Sequence, residues 1–137
     1  MFCNFLKGSG KPKTTNIAGL VYYNAQQTGV TSIIQSTSVD LDKLWWSVGI
    51  AESSNHTGHP CGDSWHADTN NCVSILYHRK LVYFASIQAN KDYFKSLWVR
   101  AYGGGLPTLA EAARYTGNDK AYGWRATVIS TYKKLTQ

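Results

Sequence analysis

The sequence predicts one α+β domain, mostly helical, with a small β hairpin near its middle. Apolar residues recur at steps of three and four over residues 40–52 and again across the last third of the chain, the period of a helix with one buried face. Between these stretches lie a segment dense in Gly, Pro, Asn and Asp and two short runs rich in β-branched and aromatic residues, the pattern of a loop followed by a hairpin. The 137 residues are 43% hydrophobic and include five Trp, nine Tyr and four Phe, enough apolar mass for one core but not for two. No internal repeat interrupts this layout.

Residues 1–15 contain Gly8-Ser9-Gly10-Lys11-Pro12-Lys13 and read as a flexible lead-in, which leaves 16–137 as the domain. Thr15 or Asn16 can cap a first helix from Ile17 to about Gln27, with Ile17, Leu20, Val21 and Asn24 on one face and Thr28-Gly29 as its stop. Residues 30–37 read either as a short helical turn or as an extended link.

The next helix begins near Asp40, an N-cap residue type, and runs into Glu52. Leu41, Trp45, Val48 and Glu52 share one face, so Glu52 continues a stripe that is otherwise core. It also stands at the helix C-terminus, where the backbone carbonyls disfavour a carboxylate. Apolar surroundings and that dipole both raise a carboxyl pKa, which suits a general acid working near neutral pH. A Glu chosen for stability alone would not sit there.

Ser53-Ser54-Asn55 breaks this helix, and residues 55–71 read as one long loop. Cys72 to Tyr77 and Leu81 to Phe84 read as two strands joined by His78-Arg79-Lys80. Asn90 or Asp92 is expected to cap a helix through Phe94, Leu97, Trp98 and Ala101 that ends at Gly103-Gly104-Gly105. Thr108-x-x-Glu111 has the form of a capping box opening the next helix, which gives the chain's other Glu a structural job. Gly117 ends that helix. Asn118 is expected to cap the last, whose buried face carries Trp124, Val128 and Tyr132. At their helical spacing Trp45, Trp46, Trp98 and Trp124 read as core.

Glu52-Ser53 at the end of an apolar helix, followed by a polar loop, resembles the lysozyme-like wall hydrolases: lytic transglycosylases and the bacterial or phage N-acetylglucosaminidases. Asn71-Cys72-Val73-Ser74-Ile75 is similar to their Asn-x-Phe-Gly-Ile segment, with Val73 in place of the aromatic and Ser74 in place of the glycine. Leu81 to Ser86, the helix from Asp92 to Tyr102, and Ala113 to Asp119 followed by Trp124 and Val128 resemble the later segments in the same order, so the likeness spans roughly residues 40–135. It implies a lysozyme-like single domain with its hairpin beside an active-site cleft, cleaving the glycan strand of peptidoglycan without a cofactor. Glu52 would be the general acid. Asp63 and Asp68 are the candidates for a second carboxylate, a role these enzymes leave poorly fixed or dispense with. Tyr115 matches the family's closing Tyr and could orient Glu52 or the sugar's acetamido group. Ser53, Asn71, Ser74 and Tyr77 would line the substrate, and Trp65 is the loop aromatic best placed to stack on a sugar ring.

The formal charge of +6 favours polyanionic partners, of which a bacterial wall is one. Apart from Lys11-Pro12-Lys13 and Lys133-Lys134 the basic residues are scattered, so no nucleic-acid-binding stripe stands out. No apolar run approaches the roughly 20 residues that span a bilayer, and no signal-peptide pattern opens the chain. The expectation is a monomer that is secreted, periplasmic or virion-associated. Cys61 and Cys72 flank the loop and can pair, leaving Cys3 over, or all three can stay reduced. His56, His59, Cys61, His66 and Cys72 could instead hold Zn²⁺, although their spacing matches no common zinc pattern. The rival class of function is therefore a non-catalytic, basic glycan-binding or metal-stabilised module of a virion or secretion machine.

Overall fold

The structure, a computed structural model, describes residues 39–137. The expected lead-in, the helix from Ile17, the 30–37 segment and Cys3 lie outside the described residues. The elements in order are α1 (Leu41–Ser53), α2 (Ser64–Thr69), β1 (Leu76–Tyr77), β2 (Lys80–Leu81), α3 (Ile87–Ala101), α4 (Leu109–Thr116) and α5 (Ala121–Leu135). The described chain is thus mostly helical with one small antiparallel sheet.

Helix α1 starts where the sequence places it. The Asp40 carboxylate accepts from the backbone N–H groups of Asp42 and Lys43 at 3.0 and 3.1 Å, satisfying two of the donors that a helix start leaves unpaired. Leu44, Trp45 and Val48 are buried, and this face packs along α5 and against α3. Each such side chain contributes about 1.5–3 kcal/mol by leaving water, and Leu44→Ala would cost about 2–5 kcal/mol. At one end Asp40 N–H donates to Tyr132 Oη (2.8 Å); at the other, Trp124 Nε1–H donates to Glu52 (2.8 Å). The two helices therefore run antiparallel, and the start of α5 faces the end of α1. Trp46 is the exception among the Trp residues expected inside: it is 37% exposed.

The segment expected to be a continuous loop contains α2. Asp63 caps it by accepting from His66 N–H (2.8 Å), and Asn70 closes it in the left-handed region at φ 55°, a conformation Asn tolerates. The density of Gly and Pro just upstream masks this six-residue helix in the sequence. The whole segment is fastened to α1. Cys61 and Cys72 form a disulfide, Ser53 Oγ donates to the Cys72 carbonyl (2.8 Å) and accepts from Cys61 N–H (2.7 Å), and Gly62 N–H donates to the Ser53 carbonyl. Gly49 is required here, since a Cβ at that position would stand 2.6 Å from Pro60 Cβ.

The hairpin is shorter than expected. Leu76 pairs with Leu81 and Tyr77 with Lys80, and the intervening His78 and Arg79 both have positive φ, 51° and 67°, as a type I′ turn demands. Ser74 at φ 58° breaks the extended run expected from Cys72. Asn71 then takes over part of the ladder, accepting from Ile75 N–H (3.0 Å) and donating to the Ile75 and Val82 carbonyls (2.8 and 2.9 Å).

Helix α3 begins earlier than the sequence suggests, with Ser86 as its cap accepting from Ala89 N–H (3.0 Å). Asn90 is not the cap because its amide is fully buried elsewhere: Oδ1 accepts from Trp45 Nε1–H (2.9 Å) and Cys72 N–H (3.2 Å). The Thr108–Glu111 capping box opens α4 as expected, and Gly117 ends it at φ 103°. Asn118 does not cap α5, which follows Lys120 without any side-chain cap. Phe94, Trp98 and Tyr102 stack along α3 (centroids 5.5 and 4.7 Å apart). Tyr115 packs against Trp98 and Tyr102 and stacks on Trp124 at 5.1 Å. An aromatic series thus runs from α3 through α4 to the first turn of α5, and it holds Trp124 rigidly beside Glu52.

Candidate active site

Glu52 is the next-to-last residue of α1 and lines a cleft of about 710 Å³. Ile50, Glu52 and His56, from the end of α1 and the segment after it, line it together with Thr116, Lys120 and Trp124, from the end of α4 to the start of α5. Burial pushes the Glu52 carboxyl above its ordinary pKa. Hydrogen bonds from Ser74 and Trp124 and the positive charges of His66 and Lys120 pull it back only in part. The Trp124 indole N–H can only donate, so it holds one carboxyl oxygen as an acceptor in either protonation state. The result is a carboxylic acid kept protonated to higher pH than usual, with a fixed orientation and an open cleft in front of it. That is what proton donation to a leaving oxygen requires.

Behind Glu52 stands a second group of side chains. Ser74 hydrogen-bonds the Glu52 carboxyl and lies 2.8 Å from His66 Nε2. His66 Nδ1 lies 2.8 and 2.9 Å from the two oxygens of Asp63. Partial burial raises the Asp63 carboxyl, but the hydrogen bonds from the His66 amide and ring and the charge of that ring hold it below its ordinary pKa. An ionised carboxylate accepts only, so Nδ1 carries a proton and Nε2 faces the serine.

The other residues singled out in the sequence are placed as follows. Tyr115 is buried; its hydroxyl donates to the Val73 carbonyl at 2.6 Å, and burial, then the charge of Glu52, pushes its pKa well up. It therefore stays protonated and supports the Val73–Ser74 turn from below. Ser53 and Asn71 are 2% and 0% exposed, and their polar groups are committed to the backbone contacts given above, so they shape the site from inside. Tyr77 is partly exposed on β1 with its ring against His78 (4.2 Å). Trp65 is 64% exposed and packs edge-on against His66, a free aromatic face beside the Asp63–His66 pair. Asp68 is exposed on α2, and neither it nor Asp63 lines the cleft.

The residues weighed as a zinc set are dispersed. Cys61 and Cys72 are joined to each other, His66 is held between Asp63 and Ser74, and His56 and His59 are exposed. Among the described residues no three His, Cys, Asp or Glu gather as metal ligands, and no helix is long and apolar enough to cross a membrane.

Trp124 and Lys120 were not legible as site residues. Trp124 shares the buried stripe of Val128 and Tyr132, and nothing in the spacing ties it to Glu52, 72 residues away. His66 did carry a signal, the Asp63-x-x-His66 spacing that places both side chains on one turn. Comparison with protein-family models, curated proteins and solved structures finds no match for this chain.

Proposed function

We propose that this domain is a lysozyme-like glycosidase or lytic transglycosylase that cleaves the glycan strand of peptidoglycan, with Glu52 as its general acid. The observation that carries the reading is the placement of Glu52: a carboxyl with its pKa raised by burial, pinned by Trp124 Nε1–H, at the wall of an open cleft. Glu52 gives its proton to the glycosidic oxygen as the bond from the anomeric carbon breaks, and the leaving sugar departs as a neutral alcohol. Lys120, also on the cleft wall, stabilises the carboxylate that remains. With neither Asp63 nor Asp68 in the cleft lining, the second half of the reaction falls to water or to the sugar's own hydroxyl, and Glu52 recovers a proton from either. The chain's net charge of +6 draws it to an anionic wall.

The test is loss of turbidity in a suspension of purified bacterial walls, followed by mass spectrometry of the released muropeptides. Lysis by the native protein and its loss in Glu52→Gln are expected, and the product masses distinguish a reducing end from an anhydro sugar. Lysis retained within a few-fold in Glu52→Gln would remove Glu52 from the role.

A further inference from the structure

Asp63, His66 and Ser74 lie outside the cleft lining, yet all three connect to Glu52 in one line: Asp63 carboxylate to His66 Nδ1, His66 Nε2 to Ser74 Oγ, and Ser74 to the Glu52 carboxyl. The Ser74 hydroxyl has a single proton and stands between two groups that can each accept or donate. Only two arrangements with one proton shared between His66 and Glu52 satisfy every contact. In the first, an imidazolium Nε2–H donates to Ser74 and Ser74 donates to a Glu52 carboxylate. In the second, a Glu52 carboxylic acid donates to Ser74 and Ser74 donates to a neutral Nε2. The two hold the same number of protons.

We propose that Asp63, His66 and Ser74 hold a proton in common with Glu52 and that entry of substrate into the cleft moves this proton onto Glu52. The transfer is balanced: the Nε2–H bond breaks as Ser74 Oγ takes that proton, and the original Oγ–H proton bonds to the free Glu52 oxygen. Asp63 keeps its bond to Nδ1–H throughout, and Trp124 keeps the other Glu52 oxygen as acceptor. The driving force is solvent exclusion. With the cleft open, water stabilises the carboxylate and Asp63 stabilises the imidazolium; with a sugar in the cleft, water leaves Glu52 and the charged form becomes unfavourable. When product leaves, water reaches Glu52 again and the proton can return.

The surroundings suit this exchange. Lys120 faces Glu52 from the start of α5 and Tyr115 from α4 with its hydroxyl already bound to Val73, while His56 is a further titratable group in the cleft lining. The side chains of His66 and Asp63 are 7% and 27% exposed, so the imidazole is shielded while its carboxylate partner touches solvent. In this scheme the three are positioning residues, because they act on substrate only through Glu52. The inference rests on the glycosidase reading for its catalytic consequence, but the shared proton itself does not.

The test therefore begins with a measurement independent of lysis: NMR titration of the His66 imidazole nitrogens and the Glu52 carboxyl carbon. A shared proton makes both nuclei report the same two-step curve, because the steps belong to the pair. Ser74→Gly cuts the line without straining the turn, since glycine accepts the positive φ of that position; each nucleus should then give its own single step. Asp63→Asn keeps the α2 cap, for which Asn serves as well as Asp. It removes the charge opposite the ring, so in the singly protonated pair the proton should sit on Glu52 and not on the imidazole. On walls, Ser74→Gly should lower kcat by about 10-fold or more with KM unchanged. Independent single steps in the native protein would overturn the shared proton, whatever the lytic activity. A covalent fluorophosphonate adduct on Ser74 would also overturn it, by making that residue a nucleophile. Paired two-step curves in a protein that leaves walls intact would uphold the shared proton and reject the glycosidase reading alone.

Discussion

Reducing the Cys61–Cys72 disulfide should loosen the fold and the site together. The two cysteines are 11 residues apart in sequence, and closing a loop of that length removes chain entropy worth about 2.8 kcal/mol from the unfolded state. For a 137-residue chain that corresponds to a fall of about 10 °C in Tm. The reduced protein should still fold, because the Ser53 hydroxyl and the Gly62–Ser53 backbone bond continue to fasten both ends of the segment to α1. What it loses is the rigid tie between α2, which carries Asp63 and His66, and the turn that carries Ser74. Lytic activity and glycan affinity should therefore fall along with Tm. Calorimetry with and without a phosphine reductant gives the shift, and thiol counting in denaturant gives the pairing: one free thiol before reduction, three after. Three free thiols without reductant, or a Tm change under about 2 °C, would refute the reasoning.

Glu52→Gln should leave Tm unchanged in acid and raise it increasingly as pH climbs above the ordinary carboxyl value of 4.5. The folded-state pKa is raised, so the stability associated with the neutral form is complete below the unfolded pKa and is lost as pH rises through the folded one; melting curves from pH 4 to 8 decide it, and a constant difference would contradict it. Trp124→Phe keeps the stack on Tyr115 but deletes a hydrogen bond that favours the Glu52 carboxylate, so the alkaline limb of the pH–activity profile should move to higher pH; an unmoved or lowered limb would count against the assignment. Thr108→Ala should cost about 1 kcal/mol through the lost cap, whereas Glu111→Gln should be nearly neutral because Gln also completes the box. Denaturant unfolding measures both, and a Glu111→Gln protein that folds but no longer lyses walls would give the acid's role to Glu111 in place of Glu52.

What the sequence determined by itself is the set of features that act within one or two turns. The stripe through Trp45 and Val48, the Asp40 cap, the Thr108–Glu111 box and the Gly117 stop all depend on neighbours three or four residues away, and each stands where the linear pattern puts it. Glu52 was legible for the same reason: a carboxylate on an apolar stripe at a helix end is anomalous in one dimension. Local rules failed where a tertiary contact outbid them. Asn90 is a good cap by type, but its amide serves Trp45 and Cys72 in the core, and the helix starts at Ser86 instead. Ser53 and Asn71 read as groups that meet a substrate, and only the fold shows them buried and bonded to backbone. The setting of Glu52 was likewise decided by tertiary structure. Trp124 reaches it because α1 and α5 pack antiparallel, and Ser74 reaches it because a positive φ turns the chain beside His66. Hydrogen bonds between elements tens of residues apart leave no period in the sequence, since they are set by how the helices pack and not by spacing along the chain.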